Sequence, residues 1–359
     1  MAYVSPTYLL TSVPAFVESI TYRMLADGMI LQDIRAAAEE IADWAHWSDF
    51  WLERAASHET LAGRTRELGY QLDAAEHLVR ASLCAHYAQF LYFAYPEKKR
   101  HAAERKITLF GAAAGLLRPM AERLEIPFGS HRLPAYFRKP PGGGPFPCVI
   151  LLGGLDAAKE DSHAFGTLCL ERGLATLAID GPGQGEAYYR GLTLTPDFPA
   201  AVGAAVQELS RRTDIRADRI GVLGRSLGGF LAAQAAALNP EIAVCVCWSA
   251  LYDVGQIDRK PPLIQEGYAF ITGSGDQAST KAATAFINLA GLAPRIRCPL
   301  YIVHGMRDNS VPYQQAERLA AEAQGPVTLR LVPDSIHCSH DFAHIVRPEM
   351  ASWLATQLG

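Results

Sequence analysis

No run of the 359-residue sequence is apolar over the length that crosses a bilayer, and residues 1–12 lack the basic start and continuous apolar stretch of a secretion signal. Charge of one sign is just as scarce. With 33 Lys and Arg against 37 Asp and Glu the formal net charge is −4, which gives a polyanion or an anionic membrane nothing to bind. Neither nucleic acid nor membrane is expected as a partner, and a cytoplasmic location is. The seven cysteines (84, 148, 169, 245, 247, 298 and 338) are odd in number and scattered, four of them beside or inside apolar runs, so they read as reduced core residues. Cys245 and Cys247 have no second pair to complete a tetrahedral site, and no metal is expected. The remaining composition, 49% hydrophobic and 19% charged, is that of a globular chain with material for about two domains.

The first third carries helical spacing and no catalytic motif. Residues 31–44 place apolar side chains at intervals of three and four, and Trp44, Trp47 and Trp51 continue that stripe. Residues 71–95 read as a second long helix with an aromatic cluster of His86, Tyr87, Phe90, Tyr92 and Phe93, stopped by Pro96, and residues 98–117 as a third. Two readings of the stripes stay open: a helical core, or the lining of a pocket over an active site to which His46, His58 and His86 would add polar groups.

The pattern changes near residue 121. Residues 124–128 and 133–137 suggest a hairpin turned at Gly129-Ser130, and the Pro- and Gly-rich 140–145 is a loop. Apolar strands then alternate with helices, at 148–152, 175–179, 220–223, 243–248, 300–303 and 327–332. Continuous apolar strands separated by helices predict a mostly parallel sheet covered on both faces, an α/β fold whose ligand lies at the carboxyl ends of the strands.

The chemistry gathers at those ends. Gly224-Arg225-Ser226-Leu227-Gly228-Gly229 follows a strand and opens an Ala-rich helix, the context of a nucleophile elbow. Glycines flank the serine because so tight a turn leaves no room for Cβ atoms. Asp308 leaves the strand at 300–303 and His337 the next one. The order Ser226, Asp308, His337 is that of an α/β-hydrolase triad of nucleophile, carboxylate and base. Asp334 competes as the acid and is read as a loop or cap residue; His304 and His340 compete as bases and are read as packing and capping. Gly153-Gly154-Leu155 ends the first parallel strand, so Gly154 or Leu155 should give an oxyanion the second backbone N–H beside that of Leu227. Asp180-Gly181-Pro182-Gly183-Gln184-Gly185-Glu186 lacks the dinucleotide spacing and the helix that must open on it, so it reads as a tight rim loop, with no cofactor expected.

These motifs, together with Lys159-Glu160 and His337-Cys338 with His340, resemble the 2,6-dihydroxypseudooxynicotine hydrolase group of α/β-hydrolases, relatives of the FrsA-like esterases and of fungal polyketide-shortening hydrolases. The likeness covers nearly the whole chain. It implies a helical cap over residues 1–120, a catalytic domain over 121–359 with a further cap insertion around 251–292, and a homodimer. It also implies hydrolysis of a carbon–carbon bond next to a ketone, and members of the group can also use an acidic residue near the serine, for which Asp253, Asp258 or Glu266 is the alternative counterpart here. Simple ester hydrolysis is the competing chemistry, and a non-catalytic small-molecule receptor on the same fold is the competing class. Substrate contacts are expected from the cap, at His86, Tyr87, Trp44, Trp47 and His46.

Overall fold

Strands β3 (Phe146–Leu152), β4 (Ala175–Ile179), β5 (Ile215–Arg225), β6 (Val244–Trp248) and β7 (Leu300–Gly305) are buried almost throughout, which removes any alternation and requires cover on both faces. The computed structural model describes residues 11–359, so most of the segment read for a secretion signal lies outside the described residues. With β1 (Glu122–Phe128), β2 (His131–Arg138) and β8 (Val327–Val332) the strands form one eight-stranded sheet in the order β1-β2-β4-β3-β5-β6-β7-β8. β1 and β2 are an antiparallel hairpin, β2 runs antiparallel to β4, and every other pairing is parallel.

Residues of β3 go alternately to the two faces. Val149 and Leu151 join α6 (His163–Leu170) and the C-terminal α13 (Ala343–Leu358) through Phe165, Val346, Met350 and Leu354. Cys148, Ile150 and Leu152 meet α8 (Phe198–Ser210) and α9 (Leu227–Leu238) through Val202, Phe230 and Ala233. All seven cysteines are free, and only Cys298 is not fully buried. The register aligns Leu152 with Ile179 and Gly224, and Arg225 with Trp248, so the strand ends finish on one level.

Ahead of the sheet come α1 (Val13–Asp27), α2 (Leu31–Glu40), α3 (Trp47–Glu67), α4 (Gln71–Gln89) and α5 (Pro96–Ala114). They bury a core of their own, in which the rings of Phe16, Trp44, Trp47, Trp51 and Tyr87 follow one another at 5.1–6.3 Å between centroids. The tryptophan stripe is not one helix: Asp43 caps a short 3-10 turn, Trp44–His46, accepting from the Ala45 N–H at 2.8 Å. Nor does Pro96 stop α4. That helix ends at Gln89 because Leu91 turns left-handed (φ 54°), and Pro96 instead begins α5 at a position that tolerates it.

The helical region docks on the level of the strand ends through buried charge. Asp27 of α1 meets Arg347 at 2.8 Å and Arg225 at 3.6 Å, while Lys99 of α5 meets Asp156 at 2.6 Å. In the 251–292 segment, α10 (Pro262–Thr272) lies on the same side, with Phe270 5.2 Å from Phe93 and 4.0 Å from Tyr188 between ring centroids; α7 (Gly185–Tyr189), α11 (Gln277–Thr284) and α12 (Gln314–Glu322) are the other helices of the sheet region.

Candidate active site

Ser226 sits at φ 57°, ψ −120°, a conformation costly for a residue with a side chain, and it is held there from both sides. Its N–H donates to the Trp248 carbonyl at 2.8 Å, and its carbonyl accepts from the Gly229 N–H at 2.8 Å. The flanking glycines are sterically required: a Cβ on Gly224 would strike the Gly228 carbonyl, and one on Gly228 the carbonyls of Leu152 and Gly153. The elbow therefore fits directly onto the loop after β3, where Gly154 faces the serine. A Cβ on Gly154 would lie 2.9 Å from the Arg225 oxygen and 3.2 Å from Ser226 Cβ.

His337 Nε2 lies 3.0 Å from Ser226 Oγ, and its Nδ1 lies 2.6 Å from Asp308 Oδ2. Two further contacts complete the orientation of the carboxylate. Asp308 Oδ1 accepts the N–H groups of Ser310 (2.9 Å) and Val311 (2.8 Å), so both of its oxygens are used. The backbone after His337 bends through left-handed Cys338 and Ser339, pinned by Cys338 N–H to Ser249 Oγ (3.0 Å) and Trp248 Nε1–H to the Cys338 carbonyl (2.6 Å).

Burial alone would raise the Asp308 pKa, but hydrogen bonds from His304 and His337 hold the carboxyl well below the usual carboxylate range. For His337 burial disfavours the imidazolium, yet Cys338 and the Asp308 carboxylate outweigh it, so the ring keeps its proton to a higher pH than free histidine. Ser226, His337 and Asp308 are thus in contact, an arrangement chemically able to activate a serine hydroxyl for attack on a carbonyl.

Of the competing groups, Asp334 is on the surface, its carboxylate 77% exposed and 4.0 Å from Arg307. His304 does more than pack. Its Nε2–H lies 2.8 Å from the Val311 carbonyl and 3.3 Å from Asp308 Oδ2, a second imidazole on the Asp308 carboxylate. His340 is buried against Trp248 and Arg347, and burial first, then Arg225, drives its pKa far down.

The five residues expected to touch substrate have other partners in the structure. Trp44 and Trp47 belong to the helical core, with their indole N–H groups donated to the carbonyls of Thr11 (2.9 Å) and Tyr87 (2.8 Å). His46 is on the surface, its imidazole 66% exposed and 3.0 Å from Asp43. Tyr87 donates its hydroxyl to Asp27 at 3.0 Å, and His86 lies 3.4 Å from Asp161, kept neutral by burial and by Lys106. Both belong to the buried charge cluster that docks the helices beside Arg225.

Three other residues support the site: Gln184 and Asp180, from the loop read as its rim, and Asp341, which the sequence did not single out. Gln184 donates to the Gly153 carbonyl at 2.6 Å and accepts the Gly181 N–H at 3.2 Å, which ties the loop after β4 to the loop facing Ser226. Asp180 takes the backbone N–H groups of Lys159 (2.7 Å) and Glu186 (2.9 Å), so this glycine-rich loop turns its donors inward. Asp341 accepts from Ser335 Oγ at 2.7 Å, just before His337. Among the acids, Asp258 faces Lys281 at 3.8 Å and Asp253 faces Arg318 at 3.8 Å, whereas Glu266 precedes Gly267, which is packed on the Leu155 side chain.

Among the described residues two groups bring metal-ligating atoms together, Glu160 with Asp180 and Glu186, and Asp33 with His58 and Cys84. The first already surrounds a cation, since Lys159 Nζ lies 2.6, 2.9 and 2.8 Å from its three carboxylates. In the second, His58 Nε2 is 3.4 Å from Asp33, and burial pushes the Cys84 thiol far from ionising. No described helix is long and apolar enough to cross a membrane.

A protein-family model described as esterase FrsA-like matches residues 33–257, and one described as the prolyl oligopeptidase family matches 165–359, the part that carries Ser226, Asp308 and His337. The chain is 37% identical over 335 residues to the 2,6-dihydropseudooxynicotine hydrolase of Paenarthrobacter nicotinovorans, spanning 92% of this chain and 90% of the relative. The crystal structure of a 2,6-dihydroxy-pseudo-oxynicotine hydrolase superposes with a TM-score of 0.88 at 36% identity, over 94% of this chain and 95% of that one. A fungal relative, hydrolase acrC of Aspergillus aculeatus, is 30% identical over 236 residues, 59% of this chain and 55% of its own length. With its elbow, its Ser-His-Asp contacts and its sheet order, the chain belongs to the FrsA-like esterase family of α/β-hydrolases, in company with the 2,6-dihydropseudooxynicotine hydrolase.

Proposed function

We propose that this enzyme hydrolyses a carbon–carbon bond next to a ketone carbonyl, in an acyl-phenol or β-diketone type of substrate. One observation carries the reading: Ser226 Oγ is 3.0 Å from His337 Nε2, whose other nitrogen is 2.6 Å from a carboxylate that is itself fully hydrogen-bonded. The likeness to a 2,6-dihydropseudooxynicotine hydrolase over nine-tenths of the chain supports the bond type.

In the proposed reaction Ser226 Oγ adds to the ketone carbon as His337 takes its proton and Asp308 stabilises the imidazolium. The oxyanion is met by the N–H groups of Leu227, at the start of α9 where no intrahelical acceptor exists, and of Leu155 with Gly154 beside it. Each donor would contribute about 10²–10³ in rate. The C–C bond then breaks, and the electron pair stays on a carbon that a phenol or enol can stabilise until His337 returns the proton to it. Water, with His337 again as base, hydrolyses the acyl-serine to a carboxylic acid. Within this reading, residues up to about 120 and the 251–292 segment act as the cap, and the enzyme is a cytoplasmic homodimer. Light scattering of the purified protein tests the dimer.

Ester hydrolysis is the second reading, favoured by the esterase description of the matching family and by the fact that the acyl steps use the same groups. Purified enzyme assayed on aryl ketones, β-diketones and p-nitrophenyl esters separates the two. The first reading expects the ketones to be the better substrates by kcat/KM and Ser226→Ala to lose all of them. Turnover confined to esters would replace it with the second.

A further inference from the structure

The loop that faces Ser226 is held from the helical region by a buried lysine. Asp156, directly after Leu155, adopts a left-handed backbone (φ 58°) without being glycine, a conformation that persists only where its surroundings impose it. Its carboxylate lies 2.6 Å from Lys99 Nζ through each oxygen, and Oδ2 also accepts the Leu91 N–H. Lys99 is completely buried in α5. It donates further to the Gln89 carbonyl (2.7 Å) and Gln89 Oε1 (3.0 Å), and its ammonium lies 4.5 Å from the Phe93 ring and 5.0 Å from that of Phe270. Burial pushes its pKa down to about 8, with Asp156 opposing the shift.

Taking an ammonium and a carboxylate out of water is costly, so such a pair contributes little net stability and is better explained by what it orients. The residues on either side show what that is. Gln184 fixes the Gly153 carbonyl, the Ala157 N–H closes a turn on the Gly154 carbonyl at 3.2 Å, and Gly267 of α10 presses on the Leu155 side chain. Asp156 lies between these contacts, and it is held in turn by Lys99 and the Leu91 N–H.

We propose that Lys99 is a positioning residue for catalysis, a lysine of the helical cap that grips Asp156 and so holds the Leu155 N–H in line with the oxyanion formed at Ser226. The inference rests on the reading of Ser226 as nucleophile and Leu155 as oxyanion donor. It makes the oxyanion hole complete only when the helical region is docked, so the element that covers the substrate also completes the site that reacts with it.

The test uses the full-length variants Lys99→Met, Asp156→Asn and the double variant, with Asn chosen because it tolerates the left-handed conformation. Measured on a p-nitrophenyl ester, each folded variant should lose up to about 100-fold in kcat, as expected for a displaced transition-state contact. KM should stay within about twofold, and the double variant should lose no more than either single one. Affinity for an aryl trifluoromethyl ketone, which forms an oxyanion adduct with the serine, should fall by the same factor as kcat. Lys99→Met leaves a buried carboxylate unpaired; if it fails to fold, the double variant, neutral at both positions, carries the test. A folded variant whose kcat and trifluoromethyl ketone affinity both match wild type, whatever its melting temperature, overturns the proposal. Retained activity in Ser226→Ala would instead overturn the reading beneath it.

Discussion

Replacing Asp308 by Asn should silence the enzyme without unfolding it, and the structure dictates how. Oδ1 accepts two backbone N–H groups, from Ser310 and Val311, so an asparagine must place its carbonyl oxygen there; the reverse leaves two donors facing an NH2 group, at about 1–3 kcal/mol for each unmade bond. The amide NH2 then takes the Oδ2 position, 2.6 Å from His337 Nδ1. That nitrogen becomes an acceptor, the ring proton moves to Nε2, and the base presents a proton to Ser226 where it should present a lone pair. The wrong tautomer and the lost imidazolium partner together are worth about 10⁴ in kcat, or ~5.5 kcal/mol. Initial rates on a p-nitrophenyl ester, with circular dichroism to confirm the fold, measure this. An Asp308→Asn enzyme within about tenfold of wild type would refute the role of the carboxylate, because a tautomer effect cannot be that small.

The pH profile follows from the same pair. His337 must be neutral to act, and its pKa is raised above 6.5, so kcat/KM should rise with pH through a midpoint above 6.5; a midpoint at or below that value would contradict the coupling to Asp308. Gly154→Ala puts a methyl group 2.9 Å from the Arg225 oxygen and 3.2 Å from Ser226 Cβ, and should lower kcat by about 100-fold, as steady-state kinetics would show; unchanged kcat would mean the loop is free to move. Asp27 pairs with Arg347 and Arg225 in full burial, so Asp27→Asn should cost about 3–5 kcal/mol in denaturant unfolding, and a loss below about 1 kcal/mol would remove this cluster as the anchor of the helices. Burial would raise the Asp27 pKa, but Arg225, Arg347 and Arg23 hold it far below its ordinary 3.8. The stability it contributes is therefore present above pH 3.8 and lost as pH falls below it, and the acid-unfolding curve of Asp27→Asn should be flatter there.

That Ser226, His337 and Asp308 meet could be read from the sequence because each stands in a local context that dictates its place. Glycines surround Ser226, while Asp308 and His337 each follow an apolar strand by a few residues, and parallel strands bring their carboxyl ends together. Trp44, Trp47, His86 and Tyr87 could not be placed in the same way. Helical spacing tells which face is covered but not by what, and a stripe that packs on other helices has the same period as one that lines a pocket. The end of α4 was hidden because Leu91 adopts a left-handed turn without glycine or proline to announce it. Lys98 and Lys99 are neighbours in a charged stretch, yet the first lies partly exposed against Asp49 and the second is fully buried against Asp156. The difference arises from α5 docking on the loop after β3, a contact between residues 57 apart that no local pattern encodes. His304 is a similar case, an apolar-strand histidine whose bond to Asp308 depends on the turn that brings Val311 back to it.

Cleavage of an acyl–carbon bond by Ser226 through an acyl-enzyme is tested by turnover of an acyl-phenol in ¹⁸O-labelled water, with both products identified by mass spectrometry. The expected products are a free phenol carrying hydrogen at the former acyl position and a carboxylic acid carrying one ¹⁸O from the water, with neither formed by Ser226→Ala. Intact acyl-phenol after prolonged incubation with enzyme that readily hydrolyses a p-nitrophenyl ester would contradict it.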